Sequence, residues 1–137
     1  MGTRTNYFIQ KILDLLYLNT PVANIGDANG LPASAAAGSF YAALLVNGAE
    51  ADYGSYARVA IPRSAAGFAR ANNVVSNVAQ LNFPKATAGN NQVNRLAIYD
   101  QAAGGNQLHV QDLANPITVS TNVQPIVEAG ALTITGS

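Results

Sequence analysis

The stretch VNRLAIYDQAAGGNQLHVQDL, residues 93–113, decides how this chain folds. Its first part, VNRLAIYD, sends Leu96 and Ile98 to one side and Val93, Ala97 and Tyr99 to the other. A two-residue period is that of an extended strand. Apolar residues on both sides mean that both faces are covered, so this strand belongs in the middle of a sheet. QAAGG then turns the chain, and NQLHVQDL returns as the hairpin partner.

The same period runs outward in both directions. SFYAALLVN, 39–47, alternates Phe40, Ala42, Leu44 and Val46 against Tyr41, Ala43 and Leu45, and Asn47-Gly48 is a hairpin turn signal. SYARVAIP, 55–62, reads as a strand that Pro62 ends. VVSNVAQLNF, 74–83, is another, with Ala79, Leu81 and Phe83 on one face and Val78, Gln80 and Asn82 on the other. ITVS at 117–120, VQPIVEA at 123–129 and ALTITG at 131–136 complete the set. Pro125 assigns its segment to an edge or a bulge. Short strands with regular turn signals predict an all-β domain, a β-sandwich for which a jelly roll is one available form.

Ahead of the strands the period changes. NYFIQKILDLLYL, 6–18, places Phe8, Ile9, Ile12, Leu13, Leu16 and Tyr17 at helical spacing, with Gln10, Lys11 and Asp14 opposite. Thr5 or Asn6 can cap its start, and Asn19, Thr20 and Pro21 stop it. PVANIGDANGLPASAAAG, 21–38, is a loop or extended arm whose small side chains suit it to lie flat on another surface. The expected division is therefore an N-terminal α-helix and arm over 1–38 and the sandwich over 39–137. Phe8, Ile12 and Leu16 of the helix and Pro21, Ile25 and Leu31 of the arm are the candidate partner-binding residues. Removing 1–38 is expected to leave a folded β domain without its anchor.

The chemistry is sparse. Of 137 residues 10% are charged, the formal net charge is zero, and there is no cysteine, no tryptophan and one histidine. Soluble domains carry about 25% charged residues. Groups that titrate, coordinate or attack are what catalysis needs, so the expectation is a protein that is not an enzyme and holds no cofactor and no metal. Asp27-Ala28-Asn29-Gly30 begins like a calcium loop, but Pro32 and Gly38 stand where that loop needs glycine and glutamate, leaving an Asn-Gly turn. His109 and Asp112 fall on opposite faces of their strand and form no dyad. Glu50 and Asp52 read as solvated turn charges. Tyr41, Tyr53, Tyr56 and Tyr99 offer a weak carbohydrate platform or, more economically, packing.

Arg58, Arg63 and Arg70 read as solvated charges within a scattered set that forms no basic stripe, so no nucleic-acid partner is expected. No apolar run spans a membrane, and Lys11 and Asp14 interrupt the only segment resembling a leader, which predicts a protein made in a cytoplasm. A neutral, amide-rich surface fits faces covered by neighbours, as in a homo-oligomer.

The order of the pieces resembles a family of small tailed-bacteriophage virion structural proteins often labelled tail fibre proteins. The resemblance runs from Asn6 to Thr135 and is carried by Tyr56-Ala57-Arg58, Phe83-Pro84, Ile98-Tyr99-Asp100 with Gly104-Gly105, and Gly130-Ala131-Leu132-Thr133. It departs in the long 21–38 arm and the short acidic turn. It implies a place in the virion. A compact domain without repeat, shaft or aromatic platform favours a capsid cement or decoration protein bound to the major capsid protein. The alternative is a tail fibre or a receptor- or carbohydrate-binding tail module.

Overall fold

The computed structural model describes residues 2–137. One helix, α1 (Asn6–Leu18), precedes the strands. The larger sheet contains β1 (Ser39–Val46), flanked on one side by β2 (Ala49–Glu50) and β3 (Val59–Pro62). On its other side lies β7 (Asn90–Tyr99), and β8 (Gln107–Ser120) forms the outer edge, with every pairing antiparallel. The opposing layer holds β4 (Phe68–Ala71), β5 (Val74–Asn77) and β10 (Thr133–Thr135) in the order β10-β5-β4, and a separate pair of β6 (Leu81–Asn82) with β9 (Ile126–Val127). Between the layers lie Leu44, Leu96, Ile98, Phe68, Phe83, Val75 and Leu132, all sealed from water. The sandwich and its N-terminal helix are as expected.

The helix joins this core. Ile9, Leu13 and Tyr17 are buried in the same cluster as the sheet residues. Tyr17 meets Phe40 of β1 at 4.9 Å and Phe68 of β4 at 5.2 Å between ring centres, and those two rings lie 6.2 Å apart. One aromatic from the helix and one from each layer thus form a triangle, with tilted and edge-on contacts that add to their area burial. Thr5 Oγ1 accepts the Phe8 N–H at the helix start, and Asn19, at φ 50°, closes its end. Arg63 donates to the carbonyls of Leu15 and Leu16, at 2.8 and 2.6 Å, placing a cation on the negative end of the helix dipole. The C-terminal tail lies against the same helix: Gly136 donates to the Asn73 carbonyl at 2.8 Å, and a Cβ there would strike Ile9.

β7 is the central strand, but strict alternation fails within it. Val93, Leu96 and Ile98 all enter the one core, whereas the sequence pattern set Val93 opposite the other two. The ladder with β8 explains this. Val93 faces Ile117 and Arg95 faces Asp112, so Asn94 alone opposes 113–116, and the bulge rotates Val93 inward. Residues 117–120 are accordingly the continuation of β8.

The expected strand 74–83 breaks after Asn77. That side chain is buried; it donates to the carbonyls of Ala79 and Glu128 and accepts the Leu132 N–H, which bends the chain and leaves Val78 and Ala79 exposed. β4 lies in a segment that showed no period. Asn47 and Gly48, at φ 51° and 93°, form the expected turn between β1 and β2.

Candidate functional site

The arm folds back on itself. Val22 and Leu31 exchange backbone hydrogen bonds of 2.9 and 2.8 Å, while the Asp27 carboxylate accepts the Asn29 N–H and the Asp27 carbonyl the Gly30 N–H. This is the Asn-Gly turn the sequence implied, held by an aspartate side chain. Gly30, at φ 72°, packs so closely on the Val22 carbonyl that no side chain fits there. Asn19 then clamps the returning chain: its amide donates to the Ser34 carbonyl and accepts the Ser34 N–H, at 3.0 and 2.8 Å.

The closed loop stands beside the helix and leaves an apolar groove of about 180 Å³ between them. Phe8 and Ile12 from α1 and Ile25 and Leu31 from the arm line it, with Lys11 the one charged residue at its wall. Phe8, Ile25 and Leu31 are 40%, 37% and 36% exposed. Four of the six candidate partner-binding residues are therefore brought together. Leu16 borders a different hollow with Phe40, Arg63 and Asp100, and Pro21 is exposed outside the groove.

A second constellation sits where β1, β2 and the hairpin loop 100–106 meet. Arg58 makes a two-pronged contact with Glu50, at 2.8 Å for each hydrogen bond. Its Nη1 donates to the carbonyls of Gln101 and Gly104, both at 2.8 Å, and its guanidinium lies 3.7 Å above the Tyr99 ring. The Tyr56 hydroxyl donates to Glu50 at 2.7 Å and accepts the Leu44 N–H at 3.2 Å. The arginine side chain is 5% exposed and the glutamate 31%. The hydrogen bonds from Arg58 are the largest influence on Glu50 and hold its carboxyl below the ordinary range against the opposing effect of burial. Burial chiefly, with the Glu50 hydrogen bond, pushes the Tyr56 hydroxyl far up, and burial alone raises Tyr53. Asp100 completes the loop by accepting from the backbone and side chain of Asn106, which hold its carboxyl low.

Glu50 was expected as a solvated turn charge and Arg58, Arg63 and Arg70 as solvated strand and loop charges. Each instead serves the fold: Arg58 on Glu50, Arg63 on the helix end, and Arg70 on the buried carboxylate of Asp14. A residue pattern shows charge spacing but not which distant carboxylate or carbonyl each arginine meets. The available signal was the set of shared family pieces: Tyr56-Ala57-Arg58 and Tyr99-Asp100 with Gly104 converge in this one cluster.

Asp52 stays exposed and accepts from Asn91. The tyrosines form no common platform. Tyr53 is buried with its hydroxyl on the Pro84 carbonyl, Tyr56 points into the glutamate cluster, and Tyr41 and Tyr99 pair on the outer face of the larger sheet. His109 stands opposite Ile98 and Asp112 opposite Arg95, on opposite faces as expected, and His109 Nε2 is buried without a partner. Burial lowers the His109 pKa, with a backbone contact to Thr133 acting weakly the other way.

A model of the family described as podophage GP4 fiber I protein gp80 matches residues 4–135. The chain belongs to that family. The match takes in α1, the arm, every strand and the Arg58 cluster. No curated protein matches the chain. The resemblance to phage virion structural proteins labelled as fibre components is thereby established, and the chain is a fibre-related structural protein of that kind. No helix among the described residues is long and apolar enough to cross a membrane.

Proposed function

We propose that this chain is a non-catalytic structural subunit of a podophage fibre, and that it attaches to a neighbouring virion protein through the groove between helix and arm. The observation that carries this reading is the family match over nearly the whole chain, whose description names a fibre protein. That description supports a fibre more than the capsid cement expected from a compact domain without repeat or shaft.

The groove adds a means of attachment. Clustered, partly exposed Phe8, Ile25 and Leu31 lose water-exposed apolar area when covered, at about 25 cal/mol per Å². The non-catalytic part rests on what the charged side chains do: Glu50, Arg58, Arg63, Asp14 and Arg70 spend their hydrogen-bonding capacity on one another and on backbone carbonyls.

Quantitative densitometry of purified virions, with labelled antibody in electron micrographs, tests the location. A copy number matched to the tail and label at the tail are expected. A number following the capsid lattice, with label over the shell, would restore the cement reading and the major capsid protein as partner. An Ile25→Asp variant tests the groove: it should fold normally yet fail to incorporate, and full incorporation would exclude that surface.

A further inference from the structure

We infer that the outer edge of β8 is a self-association surface, on which a second copy of this chain pairs antiparallel across a two-fold axis near Val110. β7 pairs with one side of β8, and among the described residues no strand pairs with the other; the 131–133 segment meets β8 through the Gln111 side chain, which donates to the Ala131 carbonyl and accepts the Thr133 N–H. Alternate residues of an edge strand turn their N–H and C=O groups away from the sheet. Along 107–119 no backbone hydrogen bond beyond the β7 ladder forms among the described residues. Such a row is a template for another strand unless the protein blunts it with lysine, inward charge, proline, a bulge or a cover.

β8 is blunted over only part of its length. The bulge at 113–116, with Pro116 in it, disrupts the far half, and a smaller irregularity falls at Leu108. Between them the strand carries no lysine or arginine. Its one charge, Asp112, is held by Arg95 of the neighbouring strand at 2.9 Å. Leu108 and Val110 are 48% and 40% exposed.

The register says why a second copy fits. Ala43, Ala97 and Val110 stand side by side across three strands on the outer face, and the first two are fully buried there with Leu45. This apolar row ends abruptly at Val110. Pairing about a two-fold at Val110 places that residue beside its own mate, so the row continues into an identical one. His109 then faces Gln111, and Leu108 faces Asp112. The two Asp112 side chains are separated by four residues along the strands, about 13 Å at strand spacing, beyond the screening length of physiological salt. Zero net charge leaves no long-range repulsion between copies. The inference holds for a fibre or a capsid location alike.

The full chain is tested by sedimentation and by cross-linking, which its lack of cysteine makes clean. The wild type is expected to dimerise at concentrations of tens of micromolar. Val110→Lys should weaken that dimer at least about tenfold without lowering the melting temperature measured on dilute, monomeric protein. Val110→Cys should oxidise to a disulfide-linked dimer much faster than Ala23→Cys on the exposed arm. A wild type that stays monomeric at about 100 µM, or an oligomer that Val110→Lys leaves intact, would overturn the inference. If Val110→Lys does not fold, the cross-linking decides: an oxidation rate for Val110→Cys no greater than that for Ala23→Cys excludes the edge.

Discussion

Breaking the Glu50–Arg58 pair should be among the costliest polar changes in this protein. The arginine side chain is 5% exposed, so Glu50→Gln strips a nearly buried cation of its counter-charge. Losing one partner of a fully buried pair costs about 3–5 kcal/mol, and the 31% exposure of Glu50 lets water recover part of it, leaving about 2 kcal/mol. Arg58→Ala removes the same pair, two bonds to the 100–106 loop and the stack on Tyr99, for about 3 kcal/mol. Urea melts of both single variants and the double variant should therefore give a coupling energy of about 1.5–2.5 kcal/mol. A second reading comes from pH. Because Arg58 holds Glu50 below its ordinary pKa, its stabilisation is complete above the unfolded value and lost as pH falls through the folded one. The wild type should lose stability below about pH 4.5 more steeply than Glu50→Gln. A coupling below about 0.5 kcal/mol, with parallel acid profiles, would show that the pair is a surface ornament and refute the reasoning.

Leu96→Ala, at a fully buried site in the central strand, should cost about 3–5 kcal/mol in denaturant melts; a loss under about 1 kcal/mol would mean that the two layers do not close over β7. His109 is kept neutral by burial, so below about pH 6.5 the unfolded chain takes up a proton first, and stability should decline until the pH reaches the lowered folded pKa. His109→Gln should be flat across that window, and an unchanged slope would assign the decline to other groups. Deleting residues 1–38 removes Ile9, Leu13 and Tyr17 from the core, and the remainder is expected to lose its near-ultraviolet circular dichroism and cooperative melting. A sharp transition in that fragment would show that 39–137 folds alone.

Leu96, Ile98, Leu44 and Phe40 announce the sandwich because alternation is local: each strand carries its own inside and outside. What alternation cannot show is a change of phase. The bulge opposite Asn94 depends on how β8 pairs, and the bend at Asn77 depends on Glu128 and Leu132, far along the chain. The helix was legible from its spacing, though that stripe serves two neighbours at once: Ile9, Leu13 and Tyr17 enter the core while Phe8 and Ile12 face the arm. Periodicity gives the width of an apolar face and leaves its division between fold and partner to tertiary contacts. Phe8, Ile12, Ile25 and Leu31 of the groove stood out in the sequence one by one, though Leu16 and Pro21 fall outside it, whereas the Glu50–Arg58 cluster did not, since its members come from segments joined only by folding.

The contact between Gly136 and the first helix sets an order of events during synthesis. Ile9 and Leu13 pack against Gly136, so this part of the core cannot close until residue 136 has been made. Until residue 136 has left the ribosome, α1 has no finished surface to cover and its apolar stripe faces solvent. Contacts between such remote positions form late and leave a nascent chain open to wrong associations. A tag or fusion that shields the helix without touching Gly136 should thus raise the yield of folded protein, whereas Gly136→Val, whose Cβ would strike Ile9, should lower it.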